Sequence, residues 1–180
     1  MKNNKTRGQM FSGEFLLALV TFMAAFIIAM SMWSTTMRET MESENVKVME
    51  NTAVDAAENL IRTPGVPANW TVEEVLSVGL ANSSRVLSER KVADFVYYMS
   101  DSNGSLCSGG SNYECNQYRL GMEGYNFYFN MTYMNGSTVQ ARNVSAYTGR
   151  LPLNETHVVT VTRSVIFNDE ISRIYFTVWE

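Results

Sequence analysis

The sequence predicts an α+β fold in which a long N-terminal helix precedes a small head with short helices and an antiparallel β-sheet. A helical pattern without glycine or proline continues beyond an apolar run as far as Arg62. The last third of the chain instead alternates apolar and polar residues between turn signals, as strands do. A chain of 180 residues is long enough for an anchor and one such domain.

The apolar run is long enough to cross a bilayer. Phe15–Trp33 contains 19 residues without a charge, close to the roughly 20 that a membrane-spanning helix needs. Lys2, Lys5 and Arg7 precede it, whereas 17 of the 18 acidic residues follow it. Because basic residues collect on the cytoplasmic side, we expect a single-pass protein with a cytoplasmic N-terminus and an extracellular head. The acidic charge of the outer part argues against nucleic acid as a partner.

The helical pattern becomes amphipathic after Trp33. Glutamates and other polar residues occupy most positions, while one stripe is apolar. The stripe consists of Met37, Met41, Met49, Ala53, Ala56, Ala57, Leu60 and Ile61. We expect it to pack either on the protein's own head or on neighbouring copies.

Turn residues end the helix and introduce a mixed middle segment. Thr63-Pro64-Gly65-Val66-Pro67 cannot continue a helix. Capping signals then predict two short helices before an irregular loop: Val72–Val78 after the Thr71–Glu74 capping box, Glu89–Met99 after Ser88, and the loop at 100–117.

The C-terminal third predicts about four strands, most simply two antiparallel hairpins in one sheet. Tyr125 to Tyr133 alternates with period two, and Asn135-Gly136 is a strong hairpin signal that leads into 137–145. His157 to Phe167 and Ile171 to Trp179 flank an Asn168-Asp169 turn. We expect the aromatic face of the first strand to lie in the core.

Seven Asn-X-Ser/Thr triplets follow the apolar run and are candidate N-glycosylation sites. They begin at Asn69, Asn82, Asn103, Asn130, Asn135, Asn143 and Asn154. Their number indicates a chain translocated out of the cytoplasm, with N-linked glycans attached. The alternative is that asparagine is simply a favourable turn residue.

The two cysteines flank a Ser/Gly/Asn-rich loop. Outside the cell, Cys107 and Cys115 most simply form a disulfide. A metal site is not expected, because two thiols need two further ligands and the chain has a single histidine, His157. No nucleophile elbow, phosphate loop or HExxH is present, so we predict neither an enzyme nor a cofactor.

The N-terminal residues resemble a known family. The stretch Lys5-Thr-Arg-Gly8-Gln9-Met-Phe-Ser12-Gly-Glu14-Phe-Leu-Leu is similar to the class III, or prepilin-type, signal of archaeal type IV pilins and pilin-like proteins. The euryarchaeal pattern has one residue between Gln and Ser, whereas this chain has two. The segment from Pro64 to Lys91, with Pro-Gly-X-Pro-X-Asn-Trp, also resembles a module of archaeal proteins that carry this signal.

The resemblance implies a processing site and an assembly residue. A prepilin-type signal peptidase would remove the leader after Gly8 or after Gln9, which leaves Gln9 or Met10 first. Glu14 would then pair with the new N-terminal amine of an adjacent subunit. A charge at the edge of a spanning helix is costly and tends to be paired, although at headgroup level that cost is small. The implied parts are a leader at 1–9, a helix at 10–62 that spans the membrane at 15–33, and a head at 63–180.

Two functions fit these features. The first is a structural subunit of a pilus-like or pseudopilus-like surface filament, assembled with other copies or related pilins through the N-terminal helix. The alternative is a membrane-anchored adhesin or binding domain that does not polymerise. Loss of the leader from the mature protein is the observation that separates them.

Overall fold

The computed structural model describes residues 13–101 and 111–180 of the chain. A single long helix is followed by short helices and strands in the order predicted for an α+β protein. In chain order these are α1 (Gly13–Arg62), β1 (Ala81–Ser83), β2 (Val86–Leu87), α2 (Glu89–Met99), α3 (Asn112–Asn116), a 3₁₀ helix (Gln117–Leu120), β3 (Asn126–Tyr133), β4 (Gln140–Ala141), β5 (Val144–Ser145), β6 (Tyr147–Gly149), β7 (Val158–Phe167) and β8 (Glu170–Trp179).

The chain divides into two compact units, and the division falls within α1. The first unit ends at Asn45 and the second runs from Val46 to Glu180. In the first unit every described side chain is exposed. In the second, the last turns of α1 contribute Met49, Ala53, Ala56, Ala57, Leu60 and Ile61 to the hydrophobic core.

A mostly antiparallel six-stranded sheet forms the centre of the second unit. Its strand order is β1-β2-β7-β8-β3-β6, and only the β2–β7 pair is parallel. The strands alternate buried and exposed residues, so one face holds Phe127, Phe129, Val161, Phe176 and Val178. This face packs with the end of α1 and with α2, which confirms the predicted fold class.

The three long strands match the predictions closely. β7 and β8 are in register along their whole length, from Val158 opposite Trp179 to Phe167 opposite Glu170. Asn168 and Asp169 connect them with φ values of 49° and 62°. Two successive left-handed residues make the tight turn that suits twisted antiparallel strands, and asparagine and aspartate tolerate that conformation well.

The predicted helix over Val72–Val78 is wrong. This segment is irregular, and Val66 bridges to Ser77 instead. The Val66 N–H donates to Ser77 O at 2.8 Å, and the Leu76 N–H donates to Val66 O at 2.8 Å. The segment buries Val75 and Val78 while pairing its backbone with the preceding loop. Tertiary packing thus overrides a capping box whose helix would have been too short to stabilise itself.

Three further details differ from the prediction. The end of the predicted loop forms α3, capped by Ser111, whose Oγ accepts from the Glu114 N–H at 3.1 Å. The return from Asn135-Gly136 pairs with β3 at first, where Thr138 bridges to Thr132 and the Val139 N–H donates to Met131 O at 3.0 Å, but β4 and β5 then form a separate two-stranded sheet. The main sheet also gains β1, β2 and β6, which are two or three residues long and therefore leave no periodic signal.

Candidate functional site

The candidate assembly site begins at the N-terminus of α1. Glu14 lies in the first turn of the helix and is exposed. A carboxylate there is stabilised by the unpaired N–H groups and the dipole of the helix. Gly8, Gln9 and Met10 lie outside the described residues, so the processing site stays a prediction.

Apolar side chains surround the first unit's helix on all sides. From Phe15 to Trp33 every residue is exposed, including Leu17 at 70% and Trp33 at 72%. The most apolar window has a mean hydropathy of 2.5, and the helix is long and apolar enough to cross a membrane. A signal sequence can have the same length and composition. Exposing so much apolar surface to water is costly, which is consistent with a membrane anchor or a signal sequence.

Two threonine hydroxyls on α1 are bonded within the helix itself. Thr21 Oγ1 donates to Leu17 O at 2.9 Å and lies 3.0 Å from Ala18 O. Thr35 Oγ1 donates to Ser31 O at 3.0 Å. Hydroxyls bonded to their own helix leave no unpaired donor, as an apolar environment requires.

The predicted apolar stripe has two parts with different surroundings. Its members from Met49 to Ile61 are buried in the head, whereas Met37 is 51% exposed and Met41 is 57% exposed. Packing on the protein's own head therefore accounts for the second part only. Met37 and Met41 remain available to another helix.

Backbone hydrogen bonds hold the C-terminal end of α1 in the head. The Leu80 N–H donates to Leu60 O at 2.8 Å, and the Arg85 N–H donates to Ile61 O at 2.8 Å. The Ala81 N–H donates to Thr63 O at 3.1 Å. The last carbonyls of a helix have no partner within it. Here the segment that carries β1 supplies donors to them.

Trp70 is the centre of the segment that resembles the archaeal module. Its side chain is fully buried, and the indole Nε1 donates to Gly79 O at 2.8 Å. Gly65 and Gly79 let the backbone approach closely, since a Cβ on Gly79 would collide with the backbone of Gly65 and Thr63. Pro-Gly-X-Pro and Trp70 thus form one packed corner immediately after α1.

Lys91 joins this corner to α2. Its side chain is only 5% exposed, and Nζ donates to Pro64 O at 2.8 Å and to Ala81 O at 2.9 Å. Burial lowers the pKa of the Lys91 ammonium, and the neighbouring charge of Arg90 lowers it further. The ammonium therefore links the loop before Trp70 to β1, and this burial costs it part of its hydration.

An ion-pair cluster joins α1 to the sheet. Arg163 Nε donates to Glu58 Oε1 at 2.6 Å, and Arg62 Nε lies 2.5 Å from Glu58 Oε2 as an ion-pair contact. The hydrogen bond from Arg163 holds the pKa of Glu58 below its ordinary value. Burial opposes this shift, and the charges of both arginines add to it.

Most of the candidate glycosylation sites are exposed. Asn69, Asn82, Asn135, Asn143 and Asn154 are exposed, whereas Asn130 is half-buried within β3. Asn143 and Asn154 have φ values of 64° and 63°, and Asn135 Oδ1 accepts from the Ser137 N–H at 2.9 Å. These turn geometries also agree with the alternative that asparagine serves as a turn residue.

The remaining predicted residues have mixed placements. Asn103 and Cys107 lie outside the described residues, so the disulfide stays a prediction. Cys115 lies in α3, and His157 immediately precedes β7. Within 13–101 and 111–180, no cluster of His, Cys, Asp and Glu is arranged to hold a metal ion.

Sequence reasoning missed the polar contacts that fix α1 to the head. The burial of Lys91 could have been predicted from its spacing. Lys91 precedes Phe95 by four residues and therefore lies on the apolar face of α2. The pairing of Glu58 with Arg163 joins residues 105 positions apart, and no local pattern indicates it.

Comparisons with family models, with curated proteins and with solved structures give no significant match. The chain has a pilin-like architecture. The part of its hydrophobic N-terminal helix in the first unit is exposed, and the α+β second unit buries the end of the same helix.

Proposed function

We propose that the protein is a structural subunit of an archaeal pilus-like or pseudopilus-like surface filament, assembled through α1. The observation that carries the proposal is the full exposure of Phe15–Trp33 on a helix whose later turns are buried. A bilayer covers this surface before assembly, and the helices of neighbouring subunits cover it afterwards. Helices of this kind associate through close packing of their side chains.

The exposed methionines extend the same interface beyond the membrane. Met37 and Met41 lie one turn apart on α1 and are 51% and 57% exposed. Methionine is flexible and polarisable, so it packs against surfaces of varied shape. In the proposed filament these two side chains contact the helix of another copy.

The first test is the N-terminal sequence, with the intact mass, of the mature protein. We expect the chain to start at Gln9 or Met10, because a prepilin-type peptidase would remove the leader. An intact N-terminus on a stable membrane protein would instead favour the anchored adhesin that does not polymerise. A start beyond Trp33 would contradict both functions, since the anchor would be lost.

The second test addresses Glu14. We expect Glu14→Ala to insert into the membrane normally but to be excluded from filaments, since it cannot pair with a neighbour's N-terminal amine. Glu39→Ala is the matched control, because Glu39 is also exposed on α1 but follows the apolar run. Membrane fractionation and sheared-filament recovery measure the two steps. Normal filament yield from Glu14→Ala would contradict the pairing role.

A further inference from the structure

A cleft of about 590 Å³ opens on the surface of the second unit. The end of α2, α3, β5 and β6 enclose it, with Asp101, Tyr113, Ser145, Tyr147 and Arg150 among the lining residues. Its volume falls in the range of sites that hold small ligands. The lining combines aromatic rings with hydroxyl, carboxylate and guanidinium groups.

One wall of the cleft is held rigidly. The Tyr113 hydroxyl accepts from the Phe127 N–H at 2.6 Å, and burial raises the pKa of this phenol. The Arg150 guanidinium lies over the Tyr113 ring, 4.8 Å from its centroid. Arg150 Nη2 also donates to Glu114 Oε1 at 2.7 Å. These contacts fix the orientation of the ring and the guanidinium before any ligand is present.

The opposite rim carries a complete glycosylation triplet. Asn143, Val144 and Ser145 all line the cleft. Asn143 lies in the turn between β4 and β5, where Arg142 and Asn143 have φ values of 49° and 64°. The Arg142 N–H donates to Glu89 Oε1 at 3.0 Å, which ties this turn to α2. The acceptor asparagine is therefore held at the edge of the cleft.

Asn143 differs from Asn135, another turn asparagine that begins a triplet. Asn135 Oδ1 accepts from the Ser137 N–H at 2.9 Å and from Ser137 Oγ at 2.7 Å. No hydrogen bond ties the Asn143 side chain to the described residues. Asn135 also lies outside the cleft lining, so it serves as an internal comparison.

We infer that the cleft is a carbohydrate-binding site and that its occupant is the glycan attached to Asn143 of the same chain. A sugar presents C–H faces that pack on aromatic rings and hydroxyls that bond to planar polar groups. Tyr147 supplies a ring that is 50% exposed, and Asp101 and Arg150 supply acceptors and donors. This inference rests on the extracellular location of the head in the proposed function.

The attachment step uses a lipid-phosphate-linked oligosaccharide as the co-reactant. Asn143 Nδ2 attacks the anomeric carbon, so that an N–C bond forms while the bond from that carbon to the phosphate oxygen breaks. The amide nitrogen loses one proton to solvent, and the lipid phosphate leaves with the bonding electron pair. The attached sugar then folds back over Tyr147 towards Arg150.

Hydroxyl-radical footprinting of the full-length protein tests this arrangement. The wild type, Asn143→Gln and Asn135→Gln are purified in detergent from a host that glycosylates the chain, and glycopeptide mass spectrometry measures the occupancy of each triplet. We expect Asn143 to be occupied in the wild type. Oxidation of Tyr147 should rise several-fold in Asn143→Gln and stay unchanged in Asn135→Gln. Tyr118, which is 56% exposed and does not line the cleft, is the internal reference.

Ser145→Ala separates the loss of glycan from a change at the left-handed residue, at the expense of the hydrogen bond that Ser145 Oγ accepts from Gln140 Nε2 at 3.0 Å. It abolishes the triplet while Asn143 keeps its left-handed conformation, so the same rise in Tyr147 oxidation is expected. A rise in Asn143→Gln without one in Ser145→Ala would overturn the inference. So would an unmodified Asn143, or an occupied Asn143 with Tyr147 equally oxidised in all variants.

The outcomes also distinguish this inference from the filament proposal. If the mature chain starts at Gln9 or Met10 and enters filaments while Asn143 stays unmodified, the filament proposal stands and the carbohydrate site is wrong. If Asn143 is modified and protects Tyr147 while the leader is retained, the carbohydrate site stands and filament assembly is wrong.

Discussion

The two parts of α1 are both rich in apolar residues, but they meet opposite surroundings. From Phe15 to Trp33 the apolar side chains cover all sides of the helix and are all exposed. From Met49 to Ile61 they form one stripe and are buried against the sheet and α2. The difference shows that the distribution of apolar residues around a helix, more than their number, decides which surface covers it.

The residues between the apolar positions explain this difference. The first part has no charge for 19 positions, so no side of it favours water. The second part places Glu50, Asp55 and Glu58 between its apolar residues, and of these Glu50 and Asp55 are exposed. Its buried residues also include Ala53, Ala56 and Ala57. Substitutions at matched residues in the two parts test the comparison directly.

The largest effect on the stability of the head is expected from a matched pair of leucine substitutions, one in each part of α1. Leu60 is 1% exposed and Leu17 is 70% exposed. Leu60→Ala leaves a cavity in the core and should lower the free energy of unfolding of the head by about 2–5 kcal/mol. Leu17→Ala should leave it unchanged. Urea unfolding of the full-length protein in detergent, followed by tryptophan fluorescence, measures both. Equal effects of the two substitutions would contradict the division of the helix.

A smaller effect on stability is expected from a matched pair of lysine substitutions, one buried in the head and one exposed on α1. Lys91→Met keeps the length of the side chain but removes the donor to Pro64 O and Ala81 O. Leaving buried acceptors unpaired should lower the free energy of unfolding by about 1–3 kcal/mol. Lys47→Met, at an exposed position on α1, should change it by less than about 0.5 kcal/mol. If Lys91→Met stabilised the head, the removed desolvation cost would outweigh the lost hydrogen bonds.

The sequence predicts local features of this protein well and distant contacts poorly. The bounds of α2, the long strands and the Asn168-Asp169 turn follow from periodicity and turn chemistry, which act over a few residues. The prediction of a helix over Val72–Val78 was wrong because Ser77 in this segment pairs with Val66, and no local pattern indicates that contact. The candidate carbohydrate cleft could not be predicted from the sequence either, because its side chains come from four separate elements.

The smallest expected effect concerns the ion pair between α1 and the sheet, and it depends on pH. The pKa of Glu58 is lowered in the folded protein from its ordinary value of 4.5, first by the hydrogen bond from Arg163. The carboxylate therefore stabilises the fold above pH 4.5, and this contribution is lost as the pH falls through the lower, folded-state pKa. Glu58→Gln should cost about 1 kcal/mol or less at pH 7, because the pair is partly exposed.

The pH dependence of the stability lost in Glu58→Gln shows whether Glu58 acts through its charge. The difference in unfolding free energy between wild type and Glu58→Gln should shrink when urea unfolding is repeated at successively lower pH below 4.5, since both side chains are then neutral. Glu50→Gln, at an exposed position of the same helix, should behave like the wild type throughout. A difference that stays constant with pH would show that Glu58 acts through packing instead of charge. The end of α1 would then be held in the head by its apolar contacts alone, without a contribution from the charge of Glu58.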